Sequence, residues 1–579
     1  MKSRTSFFNP TAFKKDLTRF APVWVLYTVV LFMILTVVMI DDAEYYRAAS
    51  LADSLGFMAL LNLCYGFLNG QLLFGDLFNA RHCNALHAMP LRRECWFVTH
   101  TVSGLLFALV PNALMALVSL LMLGGGWTVA LWWYLAAVLQ YLFFFGLAVL
   151  SALCVGNRFA MTLVYGIINF FALIVYWFYH TIYEPLLYGV YINEQPFVRF
   201  CPVWQMMGNN ELIYVGRGES FDGFQYIYDY FVQSVSLGGG WGYLAICAVI
   251  GVAMLGIALL LYRRRKLESA GDFMAVRALE PVFLVLYTMC MAAFFQMFAE
   301  LFSADEYIFL ALGLIIGFFT GRMLLMRTTR VFQPRGFIWF AVLAAVFGLS
   351  LLLTHLDPLG VTRYIPDADD ISAAKISNSY SPVYDSAPYL TEDADIETVR
   401  QIHQLILDGE ITEAEGTPDV YFNNLSILYN VNGINVVRKY DIACTSPAGE
   451  LARTIFSRPK YVLGTDNLTT FVKSLDRVYF DQDKAGGNTS GELYMDHTSG
   501  EYLKGLAEAI LADCAEGTMA QHHGYHAFEE QYAWIEFSMK VSENGTYWYD
   551  YRTVIIYPSN RHTVAYLEEN PFPVEEYNG

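Results

Sequence analysis

Charged side chains are scarce here, 16% of 579 residues, beside 56% hydrophobic and 16% aromatic residues. A soluble surface needs more charge than that, so an ordinary globular protein is excluded for most of the chain. Also missing is any GxxxxGK[ST] loop to cradle nucleotide phosphates, any HExxH or GxSxG, and any CxxC or Cys/His metal spacing. These absences speak against an ATPase carrying its own engine, a zinc peptidase, a serine hydrolase and a structural zinc site. Base is not in excess either. From His355 onward 35 Asp+Glu face 15 Lys+Arg, an acidity that repels nucleic acid and anionic lipid and serves solubility.

The same residue marks a change of solvent. Every uninterrupted apolar run of bilayer-crossing length precedes His355, and the mean hydropathy is +0.37. A helix needs about 20 apolar residues to cross hydrocarbon with its backbone satisfied. Nine segments qualify, near 21–40, 57–77, 101–123, 128–154, 161–179, 241–262, 282–301, 308–326 and 337–354. The first lacks a small-residue cleavage site and reads as an anchor, not a removed signal peptide. Gly124-Gly-Gly-Trp127 is the break between the third and fourth segments, or the tip of a re-entrant hairpin. The predicted class is a polytopic α-helical membrane protein of about nine spans with a C-terminal α+β soluble domain.

Basic residues near span ends set orientation. Lys14, Lys15 and Arg19, Arg81, Arg92 and Arg93, Arg158, Arg263 to Lys266, and Arg327, Arg330 and Arg335 share one face, predicted to be cytoplasmic. Opposite loops carry Asp41, Asp42, Glu44 and Asp53 against Arg47, an acid-rich segment 180–240, and Asp305-Glu306. Nine crossings then place the N-terminus inside and the C-terminal domain outside, in the cell membrane.

Residues 1–20 hold Phe13, Leu17 and Phe20 at helical spacing, with Lys14, Lys15 and Arg19 on other faces and Pro10 where a first turn accepts it. This fits a short interfacial helix or an unstructured basic tail. The predicted inner loop 78–100 mixes apolar and basic residues: Leu86, Met89 and Leu91 are apolar knobs, Arg81, Arg92 and Arg93 rim charge, and Pro90 a helix stop. Such a loop docks a partner or simply obeys the positive-inside rule. Within the spans Asn62, Asn69, Gln71, Asn112, Gln140, Asn169 and Gln296 are either a translocation path or inter-helix glue. Paired acids or histidines that would suit an intramembrane enzyme are not seen within the spans.

The order of parts resembles the type-2 ABC exporter permeases. An interfacial N-terminal helix, a first hairpin, a coupling loop with Arg81 and Leu86-His-Ala-Met-Pro-Leu-Arg92, and a long exterior segment before the sixth span carry the likeness. Tyr188-Gly-Val-Tyr191 and Phe221-Asp-Gly-Phe224 in 180–240 resemble the short re-entrant helices of that family, an exterior loop being the alternative. The likeness covers residues 1 to about 262. Residues 263–354, with three added spans, and the exterior domain look like a bacterial subgroup of these permeases. The resemblance implies a six-span permease core at 21–262, no catalytic, cofactor or metal residue in this chain, and ATP-Mg on a separate ATPase subunit. It further implies ATPase coupling through Arg81, Leu86, His87, Met89, Pro90, Leu91 and Arg92, and pairing with itself or a similar permease.

A polar linker is expected at 355–392, before an exterior domain at 393–579. There, a helical pattern runs from Ile396 to Ile406, strands 425–429 and 434–438 flank an Asn-Gly turn, and a helix at 500–514 precedes strands at 532–541 and 546–557. His522, His523 and His526 match no metal-site spacing and read as a solvated loop. Cys444 and Cys514 are permitted a disulfide that their spacing does not specify. The leading function is the permease subunit of an ATP-driven exporter. The alternative, from another class, is a membrane-anchored sensor or assembly protein whose exterior domain binds a cell-envelope ligand without transport.

Overall fold

The computed structural model describes residues 7–38, 44–89, 92–123, 127–208, 212–221, 226–265, 267–302, 306–378, 387–409, 421–465, 467–482, 489–494, 499–520, 530–543 and 546–572. It is mostly helical and falls into two compact units: residues 1–185 with 193–352, and residues 186–192 with 353–579.

The first unit opens with α1 (Pro10–Arg19), started by Asn9, whose side chain accepts from the Thr11 and Ala12 amides, with Pro10 at the first helical position. α1 meets α2 (Ala21–Val38) at a bend of 58°. There follow α3 (Glu44–Leu73), the short α4 (Ala80–His87), α5 (Arg93–Met122), α6 (Trp127–Cys154) and α7 (Arg158–Ile182). After two small helices, α8 (Gln195–Arg199) and α9 (Pro202–Gly208), an antiparallel hairpin forms from β1 (Ile213–Phe221) and β2 (Tyr226–Leu237). The unit closes with α10 (Trp241–Arg264), α11 (Glu280–Phe302), α12 (Glu306–Met326) and α13 (Pro334–Leu356).

Among the described residues eight of these helices are long and apolar enough to cross a membrane, and the bent pair α1–α2 makes a ninth candidate. The helix containing the expected 57–77 span starts at Glu44, so Asp53, expected in a loop, lies inside α3. Helix propensity carries through the acidic turn because the apolar face continues beneath it at Leu51, Ala52 and Leu55, all buried. The Gly124–Gly126 break lies outside the described residues. In 180–240 two short helices do occur, yet the larger element is the hairpin. Its signal was alternation, Tyr226, Tyr228, Tyr230 and Val232 in a β-prone run.

Small residues set the helix contacts. α6 is the central helix, with Trp133, Phe144, Phe145 and Ala148 fully buried. A Cβ on Gly146 would stand 2.5 Å from the Gly251 carbonyl oxygen of α10, so the two backbones touch. On α12, Gly313, Gly317 and Gly321 recur every fourth residue and face Ala292, Thr288 and Leu284 of α11. This hairpin joins α7 through Phe178, Ile182, Ala292, Ala293 and Leu310, and through Gln296, which donates to the Thr181 carbonyl at 3.0 Å.

The second unit is built twice on one plan. Its first lobe runs β3 (Ile371–Asn378), α14 (Asp393–Asp408), β4 (Tyr421–Val431), β5 (Ile434–Ala443), α15 (Pro447–Phe456), with the antiparallel order β3-β4-β5. After α16 (Pro459–Val462) and α17 (Leu468–Ser474), the second lobe runs β6 (Leu475–Gln482), β7 (Thr489–Tyr494), α18 (Ser499–Glu516), β8 (Ala533–Glu543), β9 (Thr546–Ile556), α19 (Arg561–Glu569), in the order β7-β6-β8-β9. Setting β7 aside as an added edge, each lobe is strand, helix, hairpin, helix. The first hairpin turns on Asn432 and Gly433, with φ of 52° and 83°, as a two-residue turn of that twist requires. The chain again reads Asn544-Gly545 between β8 and β9. Each lobe has its own apolar core.

Two boundaries differ from expectation. The predicted linker 355–392 contains β3, whose Ala374 and Ile376 are buried in the first lobe. Two alanines, and a bulge between Ile371 and Ala373 that puts Ile371 out of step with Ala374 and Ile376, hid the apolar alternation. Residues 186–192, from the segment after α7, also belong to this unit: Val190 bridges Arg438 of β5, and the Lys439 amide donates to the Gly189 carbonyl at 3.0 Å. Gly189 has φ of 71°, and a Cβ there would meet the Tyr440 ring. The strap therefore requires glycine at that point.

Candidate functional site

One end of the helical unit concentrates its polar chemistry. The face that α1 turns to α5 is Ala12, Asp16 and Phe20, all buried, at a four-residue spacing. Phe13 is half-buried and Leu17 exposed, so the expected Phe13–Leu17–Phe20 face is rotated, and only Phe20 packs inward. Asp16 Oδ2 lies 2.7 Å from His100 Nδ1 and accepts from Ser103 Oγ at 3.0 Å. The Asn9 amide donates to Thr99 Oγ1 at 3.1 Å. A carboxylate held by two partners inside a helix contact pins α1 to α5, since an unpaired buried carboxylate would be costly.

Arg265 ties the neighbouring helix ends. Its guanidinium donates to the Ala152 and Leu153 carbonyls at 3.0 Å each, orphan acceptors at the end of α6, and to the Leu77 carbonyl at 3.3 Å. Arg93 donates to the Arg265 carbonyl at 3.1 Å, and Arg263 pairs with Glu94 at 3.2 Å. Arg93, expected as rim charge, is thus an internal brace. Against this braced end stands α4. Of its described side chains Cys83 alone is buried; Arg81, and Met89 just beyond the helix, are exposed. Arg92 is exposed with its guanidinium 5.7 Å from the Phe7 ring centre. Leu86 and His87 form the last residues of α4, and Pro90 and Leu91 lie outside the described residues.

The polar residues expected along a translocation path are brought together, but inside helix contacts. Asn62, Asn69, Asn112, Gln140 and Asn169 are all at most 1% exposed. Tyr27 donates to Asn62 and Asn112 at 3.3 Å each, and Asn62 donates to the Ala137 carbonyl at 3.1 Å and Gln140 at 3.3 Å. Asn69 donates to Tyr141 at 2.9 Å, whose hydroxyl donates in turn to the Gly104 carbonyl at 2.8 Å. Asn169 donates to the Tyr165 carbonyl at 2.9 Å. The Asn112 amide nitrogen is buried without a partner. Gln71 stands apart, donating weakly to the Arg158 carbonyl at 3.4 Å. Tyr27, Tyr65, Tyr141 and Tyr165, which sequence reasoning passed over as aromatic content, are the other half of this network. Their recurrence opposite Asn and Gln is visible only once helices are paired.

No family model, curated protein or solved structure matches this chain.

In the second unit His403 is fully buried, its Nε2 2.8 Å from Tyr440 Oη and its Nδ1 3.3 Å from Tyr429 Oη. Burial, with Arg438 nearby, pulls the imidazole down to about 3. It is a neutral core residue. Asp513, Glu516 and His562 approach one another closely enough to hold an ion, but Asp513 is already committed: Oδ1 accepts from the His562 amide at 3.0 Å, and Oδ2 from the Thr563 amide at 2.8 Å and hydroxyl at 2.6 Å. That is a cap on α19 supplied by α18, which the donor set explains without a metal. His522, His523 and His526 lie outside the described residues. Cys444 and Cys514 are not joined by a disulfide; each packs in a different lobe's core.

Proposed function

We propose that the chain is the membrane-spanning permease subunit of an ATP-driven exporter, of the type-2 ABC kind, working through a separate ATPase. The observation that carries this reading is α4, a short helix set between α3 and α5 at a braced helix end, with Arg81 and Met89 outward. Such an element transmits a partner's movement to the spans as a rigid body because Arg93, Arg263 and Arg265 lock the adjoining helix ends together. Topology supports the same frame. Residues 186–192 and 353–579 form one compact unit, a bilayer cannot pass through a packed unit, and the four apolar helices α10 to α13 between them are an even number. With the basic residues of α1, α4 and Arg263–Arg265 inside, the two-lobed unit is exterior.

The test is affinity purification of the full chain from its own cells. A nucleotide-hydrolysing subunit should be retained, and Met89→Glu or Arg81→Glu should release it while leaving the gel-filtration profile of the chain unaltered. Purification without any ATPase, or release unaffected by both substitutions, sinks the reading.

One observation favours the second reading, a membrane-anchored sensor. Asn62, Asn69, Asn112 and Gln140, proposed for a path, are buried and hydrogen-bonded between helices. A sensor would bind its ligand through the two lobes and would leave substrate movement across proteoliposomes at background.

A further inference from the structure

At the bend between α1 and α2 lies a cavity of about 340 Å³, walled by Arg19 and Phe20, by Leu72 at the end of α3, by Asp76, Phe78 and His82 beyond it, and by Arg158 at the start of α7. Neither arginine has an acidic partner among the described residues, whereas Asp76 lies 3.6 Å from His82 Nδ1. Both arginines are exposed, and each stands at a fixed helix end. Arg19 ends a helix pinned through buried Asp16, and Arg158 opens a helix capped by Asn157, whose side chain accepts from the Ala160 amide at 2.7 Å. On the membrane reading proposed above, on which this inference rests, α2, α3 and α7 all meet the inner surface here. The cavity then lies at headgroup depth, with Phe20, Leu72 and Phe78 on its apolar side.

We propose that this cavity binds the phosphodiester of an anionic phospholipid. Planar guanidinium groups match phosphate oxygens, and basic pockets between spans on the inner face take lipid headgroups. Charge balance selects the form. Two guanidinium groups against the one carboxylate of Asp76 leave one arginine uncompensated, which suits the single charge of a diester better than the near-double charge of a free phosphate or monoester. The apolar wall gives the glycerol and upper acyl chain a surface that a soluble phosphate would leave bare.

The experiment uses the full chain in nanodiscs of phosphatidylcholine with and without phosphatidylglycerol, counting retained lipid by native mass spectrometry. Arg19→Gln/Arg158→Gln should cut retained phosphatidylglycerol about thirtyfold, the scale of two interfacial basic contacts. The charge-matched Arg330→Gln/Arg335→Gln should leave it unchanged. Asp76→Asn, which raises the local charge, should increase retention. Equal losses in both double variants, no loss in either, or a fall with Asp76→Asn overturns the proposal. Should the Arg19/Arg158 double variant lose its monodisperse peak, Asp76→Asn decides alone by its sign. In phosphatidylcholine discs, inorganic phosphate that stabilises the chain as much as phosphatidylglycerol does would overturn the lipid source. Entry into the bilayer without lipid preference overturns this proposal only; failure to enter a bilayer overturns the membrane reading with it.

Discussion

The two units treat the same apolar side chains in opposite ways. In the helical unit α13 is almost bare: only 6% of its most apolar stretch is covered, and Val342, Val346, Leu349 and Leu352 point outward. In the two-lobed unit α14 hides Ile396, Val399, Ile402 and Ile406 and leaves Asp393 and Glu397 toward solvent. An outward apolar surface of that extent is stable only against hydrocarbon or a partner. Cohesion must therefore come from different sources. Close backbone contact and internal polar bonds serve the first unit, where hydrophobic burial gains little; burial serves the second.

The comparison is broken most sharply at Gly146. Leucine there drives a carbon into the Gly251 carbonyl oxygen, where neither backbone can yield, and overpacking of this kind costs about 3 kcal/mol or more. Gly146→Leu should abolish the monodisperse fraction after detergent extraction. Gly166→Leu, at a site with nothing within 4 Å, should leave it intact. Equal behaviour of the two would mean that backbone proximity does not hold the bundle.

In the two-lobed unit the comparable loss is polar. Removing the Asp513 carboxylate strands the His562 and Thr563 amides and the Thr563 hydroxyl, for an expected cost of about 3 kcal/mol. Amide exchange in α19 should accelerate in Asp513→Ala and less in Asp513→Asn, while that of α6 stays the same. Acceleration in both units would show that they unfold together.

His403 adds a pH axis confined to one lobe. Its folded value near 3 lies below the ordinary 6.5, so below pH 6.5 the unfolded chain takes up a proton that the folded chain refuses. Stability falls as pH drops through that window, by about 2 kcal/mol between pH 7 and pH 5. Exchange in β4 and β5 should speed up accordingly, and His403→Gln should flatten the dependence. A profile identical in the variant would assign the acid sensitivity elsewhere.

How legible each part was follows from the range of the interactions that define it. The apolar helices were readable because a span needs only its own composition, and the Asn432-Gly433 hairpin because a turn is local. The strap at Gly189 was not: its meaning depends on Tyr440, some 250 residues away. Asp16 drew no reading from the sequence, because its role depends on His100 and Ser103, more than 80 residues away. β3 was masked by the bulge between Ile371 and Ala373, which puts Ile371 out of step with the core residues Ala374 and Ile376, while Lys375 between them is buried with its ammonium 5.4 Å from the Tyr389 ring centre. Of the candidate site, the residue types in Asn62, Asn69 and Gln140 were noticed, but their mutual bonding required knowing which helices pair.

The smallest expected effect tests the local end of that scale. Gly433 holds φ of 83° at the first lobe's hairpin, and a Cβ there would meet nothing within 4 Å. Alanine would therefore pay only for its left-handed backbone, about 1 kcal/mol. Gly433→Ala should raise exchange at the β4–β5 turn modestly and leave both the α19 amides and the extraction profile unchanged. A larger loss would imply that the turn positions β5 for the strap at Val190, so that a feature readable from two residues carries a long-range contact after all.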